Sequence, residues 1–295
     1  VLGLKQGDEV ITAANTFVAT VGAICELGAK PVFVDCDDTF CMNVDLIEKK
    51  ITKKTKAIIP VHLYGHPANL NEIIEIASSN DIPIIEDGAQ SLGSQYYGKM
   101  CGSLGNIGCT SLYPTKVITS GEGGVISTND DDIYNNLLKI RNHGFGKNHQ
   151  ITRFGLNLRM PEIEAALAST QLNKLNNFLK IRHRNAKLLS DILKNHIDLS
   201  TVNPNSVPNW YLYTVSVHDN RSYVINYLKT RGIQSAVYYE TPIHMMPFYS
   251  KLVGNVVLPN TEIAAKEVLS LPIHQGLTID DVEFIANTFL QSLKN

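Results

Sequence analysis

The chain of 295 residues has one tryptophan, almost no net charge and no apolar run long enough to span a membrane. Its 26 basic and 28 acidic side chains leave a formal charge of −2, which gives no electrostatic reason to expect nucleic acid or an anionic membrane as partner. No secretory signal opens it. The five cysteines, Cys25, Cys36, Cys41, Cys101 and Cys109, are odd in number and form no Cys-x-x-Cys pair. That spacing speaks against zinc and for free thiols in a reducing cytoplasm. There is no internal repeat, no low-complexity tract and no initiator Met. The opening residues read like the middle of a domain, the end of an apolar helix running into a Gly-Asp turn, so the natural protein is expected to begin earlier.

What is present is a core. Hydrophobic residues make up 44% and charged residues 18%, enough for one large or two medium globular domains. Strand-like runs fall at Glu9–Thr12, Pro31–Asp35, Ala57–Leu63, Pro83–Glu86, Gly108–Tyr113 and Gly124–Thr128. Helix-like stretches lie between them at Val18–Leu27, closed by Gly28, at Val44–Ile51 and at Leu70–Ser78. Strands alternating with helices predict βαβ units, and near-continuous apolar strands predict a mostly parallel sheet covered on both faces. From Asp130 the pattern turns helical, with Asp130–Arg141 and a long tract over Pro161–Asn195. After the turn-rich Asn203-Pro-Asn-Ser-Val-Pro-Asn a smaller α+β unit is expected: a strand at Tyr211–Val217, a helix at Tyr223–Thr230 ending at Gly232, a short strand at Val237–Glu240 and two closing helices, the last capped by Thr278. The expected division is 1–195 and 196–295.

The chemistry gathers at two points. The apolar run Pro-Ile-Ile-Glu-Asp-Gly-Ala-Gln delivers Asp87 at a strand end, and Ser-Leu-Tyr-Pro-Thr-Lys delivers Lys116 in a loop of small residues. A lysine amine can hold an aldehyde cofactor as a Schiff base, and a carboxylate can keep that cofactor's ring nitrogen protonated. The pair points to pyridoxal phosphate. The bland alternatives are a solvated lysine and a carboxylate capping a turn. The run Gly121-Glu122-Gly123-Gly124 reads as a tight turn returning to a strand rather than as a phosphate loop.

Nine segments in order carry a resemblance over nearly the whole chain: Gly-Asp-Glu-Val-Ile, Asn-Thr-Phe-Val-Ala-Thr, Gly-Ala-Lys-Pro-Val-Phe-Val-Asp, Pro-Val-His-Leu-Tyr-Gly, Glu-Asp-Gly-Ala-Gln, Ser-Leu-Tyr-Pro-Thr-Lys, Gly-Glu-Gly-Gly, Arg-Asn-His-Gly and Gly-Leu-Asn-Leu-Arg-Met-Pro-Glu-Ile-Glu-Ala-Ala. Together they resemble the DegT/DnrJ/EryC1/StrS family of pyridoxal-phosphate-dependent sugar aminotransferases. The resemblance implies the fold-type-I architecture of aspartate aminotransferase, with a seven-stranded-type sheet, a smaller C-terminal domain and a homodimer with shared active sites. It implies amino transfer in the cytoplasm from L-glutamate to a UDP- or dTDP-linked keto-6-deoxyhexose, as in lipopolysaccharide, O-antigen or other polysaccharide biosynthesis. Lys116 would form the Schiff base and Asp87 would face the ring nitrogen. Gln90 would lie near the phenolic oxygen, Phe17 would stack on the ring while remaining a buried aromatic, and Ser111 would donate to the phosphate. Asn157, and less strongly Arg159, would reach the partner's phosphate. The family's main phosphate cradle, a Gly-Thr-Ala-type turn, would precede Gly-Asp-Glu-Val-Ile, outside this sequence. Relatives that act as dehydratases carry His in place of the lysine, so Lys116 argues for transamination; a non-catalytic binding or regulatory protein is the other alternative. His62, His66 and His143 lie near ligand-site positions without an assignable role, His244 and His274 read as structural, and no ligand set for a metal is seen.

Overall fold

The computed structural model describes residues 1–294. The first part of the chain builds a sheet from β1 (Glu9–Ala13), β2 (Lys30–Val34), β3 (Thr55–Ile59) and β4 (Ile85–Asp87), with helices α1 (Val18–Glu26) and α2 (Leu70–Ser79) between strands. A small hairpin, β5 (Gln95–Tyr96) and β6 (Lys99–Met100), leads into β7 (Ile107–Ser111) and β8 (Gly124–Ser127). β1 pairs in parallel with β2 and β3, and β4 in parallel with β7. Parallel bridges Ile58–Ile84 and Val61–Asp87 join the two halves. The spatial order is therefore β2-β1-β3-β4-β7-β8, with β8 alone antiparallel, its Gly124 opposite Ser111 of β7 and its Ser127 opposite Gly108. The described residues supply six strands to this sheet.

Adjacent residues of a strand point to opposite faces, and here both faces are covered. Ile11 and Ile58 pack with Leu70, Ile73 and Ala77 of α2, whose spacing is helical. Val10, Ala57 and Ile59 pack on the other side with Ile24 of α1. Because every parallel strand runs the same way, the loops after β1, β2, β3, β4 and β7 leave from one edge. That edge is where open α/β sheets bind ligands.

The second part holds α3 (Asp131–Arg141), α4 (Glu162–Leu172), α5 (Leu175–Leu193), β9 (Ser206–Val207), β10 (Tyr213–Ser216), α6 (Arg221–Lys229), α7 (Pro247–Val253), α8 (Pro259–Glu267), β11 (Val268–Leu271) and α9 (Ile279–Ser292). β9 extends the β5–β6 hairpin, and β10 pairs antiparallel with β11. Leu175 and Leu179 at the start of α5 pack on Leu112, Val117 and Ile118 around the lysine loop. Ala186, Leu189 and Leu193 at its end pack with β10, β11, α6 and α9. One helix thus ties the lysine loop to the C-terminal core. α9 begins with a capping box in which Thr278 and Asp281 satisfy each other's backbone donors.

Several local expectations are corrected. Val44–Ile51 is two short 3₁₀ turns rather than a helix. The tract over 161–195 breaks between Leu172 and Leu175, so two helices meet there. Val237–Glu240 is no strand; the chain touches the sheet only at the bridge Ala236–Ser270. Three helices with β11 between the last two, rather than two helices, close the chain. The parallel strand β3 stops at Ile59, because Pro60 has no N–H to continue the ladder. Among the described residues no helix is long and apolar enough to cross a membrane.

Candidate active site

Asp87 ends β4. Its N–H donates to Pro60 O at 2.9 Å and its carbonyl accepts from His62 N–H at 3.1 Å, while in register it faces Cys109 of β7. These bonds fix the backbone from both sides. Its carboxylate then accepts Thr20 Oγ1–H at 2.6 Å on Oδ2 and Ala89 N–H at 3.1 Å on Oδ1. Each oxygen keeps a lone pair free for a further donor.

Lys116 lies in the turn after β7, its N–H donating to Tyr113 O at 3.0 Å. Its Nζ sits 4.7 Å from the centre of the Tyr211 ring, and the Tyr211 hydroxyl is 3.0 Å from Thr115 Oγ1. Arg182 in turn holds the carbonyls of Trp210 and Tyr211, at 2.9 and 3.3 Å. Burial pushes the Lys116 amine below the ordinary lysine range, and the Asp87 charge pulls back in the opposite direction more weakly. An amine so placed gives up its proton more readily than a surface lysine, as a nucleophile toward a carbonyl must.

Gln90 is buried, and both ends of its amide are engaged. Oε1 accepts Tyr64 N–H at 2.6 Å and Nε2 donates to the Tyr239 hydroxyl at 3.0 Å. Tyr64 has φ of 60° and Gly65 φ of 91°. A Cβ at Gly65 would fall 1.9 Å from Asn209 Oδ1, so only glycine fits this turn. Phe17 corrects the expectation of a buried aromatic, since 56% of it is exposed. It is the residue before α1, so its ring projects ahead of the helix, 6.2 Å from the Tyr239 ring.

Ser111 accepts Tyr113 N–H at 3.2 Å, which leaves its own O–H to donate. Asn157 lies outside this hydrogen-bonded set. Its backbone bridges Asn142 on the exposed segment after α3, where Arg159 Nη1 also donates to Asn142 Oδ1 at 2.5 Å. The Gly121–Gly124 run is the tight return expected: Gly123 has φ of 135°, and a Cβ there would meet Met160 and Ser120 at under 3 Å.

Other candidates separate clearly. His62 is buried against Glu86 at 3.0 Å. His66 stands edge-on to Trp210 and burial lowers it to about 4, so it stays neutral. His143 takes a left-handed turn, φ 55°, before the exposed segment. His244 is 3.3 Å from Glu262, and His274 accepts Gly276 N–H. All five cysteines are free, and burial pushes Cys36 and Cys41 up to about 12 and Cys109 to about 11, so none of these three is a thiolate nucleophile. Among the described residues no three His, Cys, Asp or Glu side chains gather as a metal ion needs.

Sequence reasoning missed Thr20, Tyr64, Tyr211 and Tyr239. Thr20 had a signal, because it lies one helical turn after Phe17 on the same face. Tyr64 had one too, because it stands in the Pro-Val-His-Leu-Tyr-Gly segment just after β3; Tyr211 and Tyr239 had none and reach the site from far along the chain.

The half-buried Lys116 amine, the Asp87 carboxylate and the Ser111 hydroxyl thus lie at one edge of a parallel sheet. The chain matches the description of the DegT/DnrJ/EryC1/StrS aminotransferase family over residues 1–290, and it belongs to that family. It is 39% identical over 290 residues to a protein of Geobacillus stearothermophilus named a pleiotropic regulatory protein, covering 96% of this chain and 78% of that one. It is 38% identical over 288 residues to the UDP-2-acetamido-2-deoxy-3-oxo-D-glucuronate aminotransferase of Pseudomonas aeruginosa, covering 96% and 79%. Its structure superposes with a TM-score of 0.95, at 32% identity, on DesV of S. venezuelae solved with a ketimine intermediate, covering 100% and 80%.

Proposed function

We propose that this chain transfers the amino group of an amino acid, L-glutamate, to a UDP- or dTDP-linked keto-deoxysugar, with pyridoxal phosphate held at Lys116. The observation that carries this reading is the half-buried Lys116 amine, set on Tyr211 and within electrostatic reach of Asp87. When bound, pyridoxal phosphate supplies a carbonyl for amine exchange and a protonated ring that accepts electrons. The residues suit that group. Lys116 Nζ would hold the group through its carbonyl carbon, and the same amine would serve as the base for the proton at the substrate's amine-bearing carbon. Asp87, steadied by Thr20, would hold the proton on the ring nitrogen. Gln90 and Tyr239, hydrogen-bonded to each other, would lie beside the ring, Phe17 next to Tyr239 would pack on it, and the Ser111 hydroxyl would donate to the phosphate.

The reading includes a large cofactor-binding domain over 1–195, a smaller one over 196–295 and the seven-stranded-type sheet of fold type I, of which six strands are described here. It includes a homodimer in which Asn157, with Arg159 beside it, serves the partner's phosphate. Exposed Phe154, Leu156, Leu158 and Ile163 on and after that segment support such a contact. The free thiols fit a cytoplasmic place. Incubation of the pyridoxal-phosphate-loaded protein with glutamate should yield one 2-oxoglutarate per site and then, on addition of a keto sugar nucleotide, the amino sugar. Absence of 2-oxoglutarate with every amino acid tried refutes the reading.

A further inference from the structure

Glu86 is fully buried, one residue before Asp87, and four protein donors face it. Oε1 accepts Leu104 N–H at 2.7 Å and Gly105 N–H at 2.6 Å. Oε2 accepts Gly102 N–H at 2.6 Å and lies 3.0 Å from His62 Nε2. His62 is equally buried, and its Nδ1 accepts Ala68 N–H at 3.0 Å. That bond assigns the ring proton to Nε2, so a neutral imidazole donates to an ionised carboxylate. Burial alone would raise the Glu86 carboxyl, but His62 and the backbone N–H groups of Gly105 and Gly102 outweigh it and hold the group below the usual carboxylate range.

The four donors belong to two segments that both feed the site. His62 opens the turn carrying Tyr64, whose N–H fixes Gln90, and the His62 N–H itself holds the Asp87 carbonyl. Residues 102–105 run directly into β7, which ends at Ser111 and leads to Lys116. The carboxylate sits on β4, whose next residue is Asp87 and points to the opposite face of the sheet. One side chain therefore joins the exit of β3, the strand bearing Asp87 and the entry to β7.

We propose that Glu86, with His62 as its fixed neutral partner, is the positioning residue that sets the Asp87, Gln90 and Lys116 segments relative to one another. It touches no reacting group; it acts through the backbone. An apolar residue at 86 would strand three buried backbone N–H groups. Glutamine fits the space but fails the chemistry: its oxygen can accept two of the four donors, and its amide N–H then faces the other two.

The inference rests on the proposed function for its meaning but is tested separately from it. In the full-length chain without cofactor, Glu86→Gln should speed amide hydrogen exchange by about tenfold in peptides covering 62–66, 87–90 and 111–116 together, the equivalent of about 1.4 kcal/mol. Ile84→Val, just before β4, which removes a methyl but no acceptor, should leave those peptides as they are. With pyridoxal phosphate, Glu86→Gln should weaken binding and shift the pH midpoint of the cofactor's visible absorption, with kcat falling on the order of 10²-fold and KM little changed. His62→Asn retains an acceptor for Ala68 N–H and removes one donor from Glu86; it should show the same pattern more weakly, and it serves if Glu86→Gln does not fold. Wild-type exchange in both variants, or equal losses in Ile84→Val, overturns the proposal. A wild-type protein that takes no cofactor refutes the functional reading alone, since the exchange comparison still stands.

Discussion

Two regions of similar composition meet opposite fates. In β1, Val10 and Ile11 are 0% exposed, with a strand on each side and a helix on each face. In β8, Val125 and Ile126 are 51% and 54% exposed. The helices differ in the same way: α2 buries Leu70, Ile73 and Ala77, whereas α4 has no buried residue and shows Ile163 at 77%. Apolar patterning dictates which element forms, but burial needs a partner surface. The β1–β4 half finds its cover within the chain. The face of β8, α3 and α4 displays its apolar side chains as an interface would, which is where the proposed homodimer would meet.

The contrast can be broken by mutation. Ile58→Ala in the covered half opens a cavity among Ile11, Leu70 and Ile73, and should cost about 2–5 kcal/mol in denaturant unfolding at any protein concentration. Ile163→Asp on the bare face should leave the far-ultraviolet spectrum unchanged and move mass from dimer to single chain in sedimentation velocity. Its stability cost should then depend on protein concentration. A dimer untouched by that charge would remove α4 from the interface.

A smaller effect concerns the site edge. The Asp87 charge raises the proton affinity of Lys116, against the larger effect of burial. Asp87→Asn removes that support, so the midpoint for loss of the Lys116 proton should fall further below the ordinary lysine range. The pH dependence of Lys116 modification by an amine reagent, read by peptide mass spectrometry, checks the sign. A midpoint that rises would contradict the electrostatic account.

Much of this was legible in the chain because its signals are local. Asp87 and Lys116 each sit at the end of an apolar run, and the alternation of runs with amphipathic stretches gave the parallel sheet. What was not legible came from distance or from context. Tyr211 reaches Thr115 and Tyr239 reaches Gln90 across long stretches of sequence, with no spacing rule to connect them. Phe17 reads as a core aromatic, but its position ahead of α1 turns it outward. Val237–Glu240 has strand composition, yet its two tyrosines serve the large unit: the carbonyl of Tyr238 accepts the Tyr64 hydroxyl, and Tyr239 meets Gln90. The two-residue strands β5, β6 and β9 are too short for periodicity to register.

The central claim is that the edge carrying Asp87 and Lys116 captures an aldehyde cofactor through one amine. Its most direct test is the visible spectrum of the protein titrated with pyridoxal phosphate, followed by borohydride reduction and peptide mapping. The account predicts a yellow protein with the reduced label on Lys116, and a colourless, unlabelled Lys116→Ala that is folded by circular dichroism. A wild-type protein that stays colourless, or a label that falls on another lysine, would contradict it.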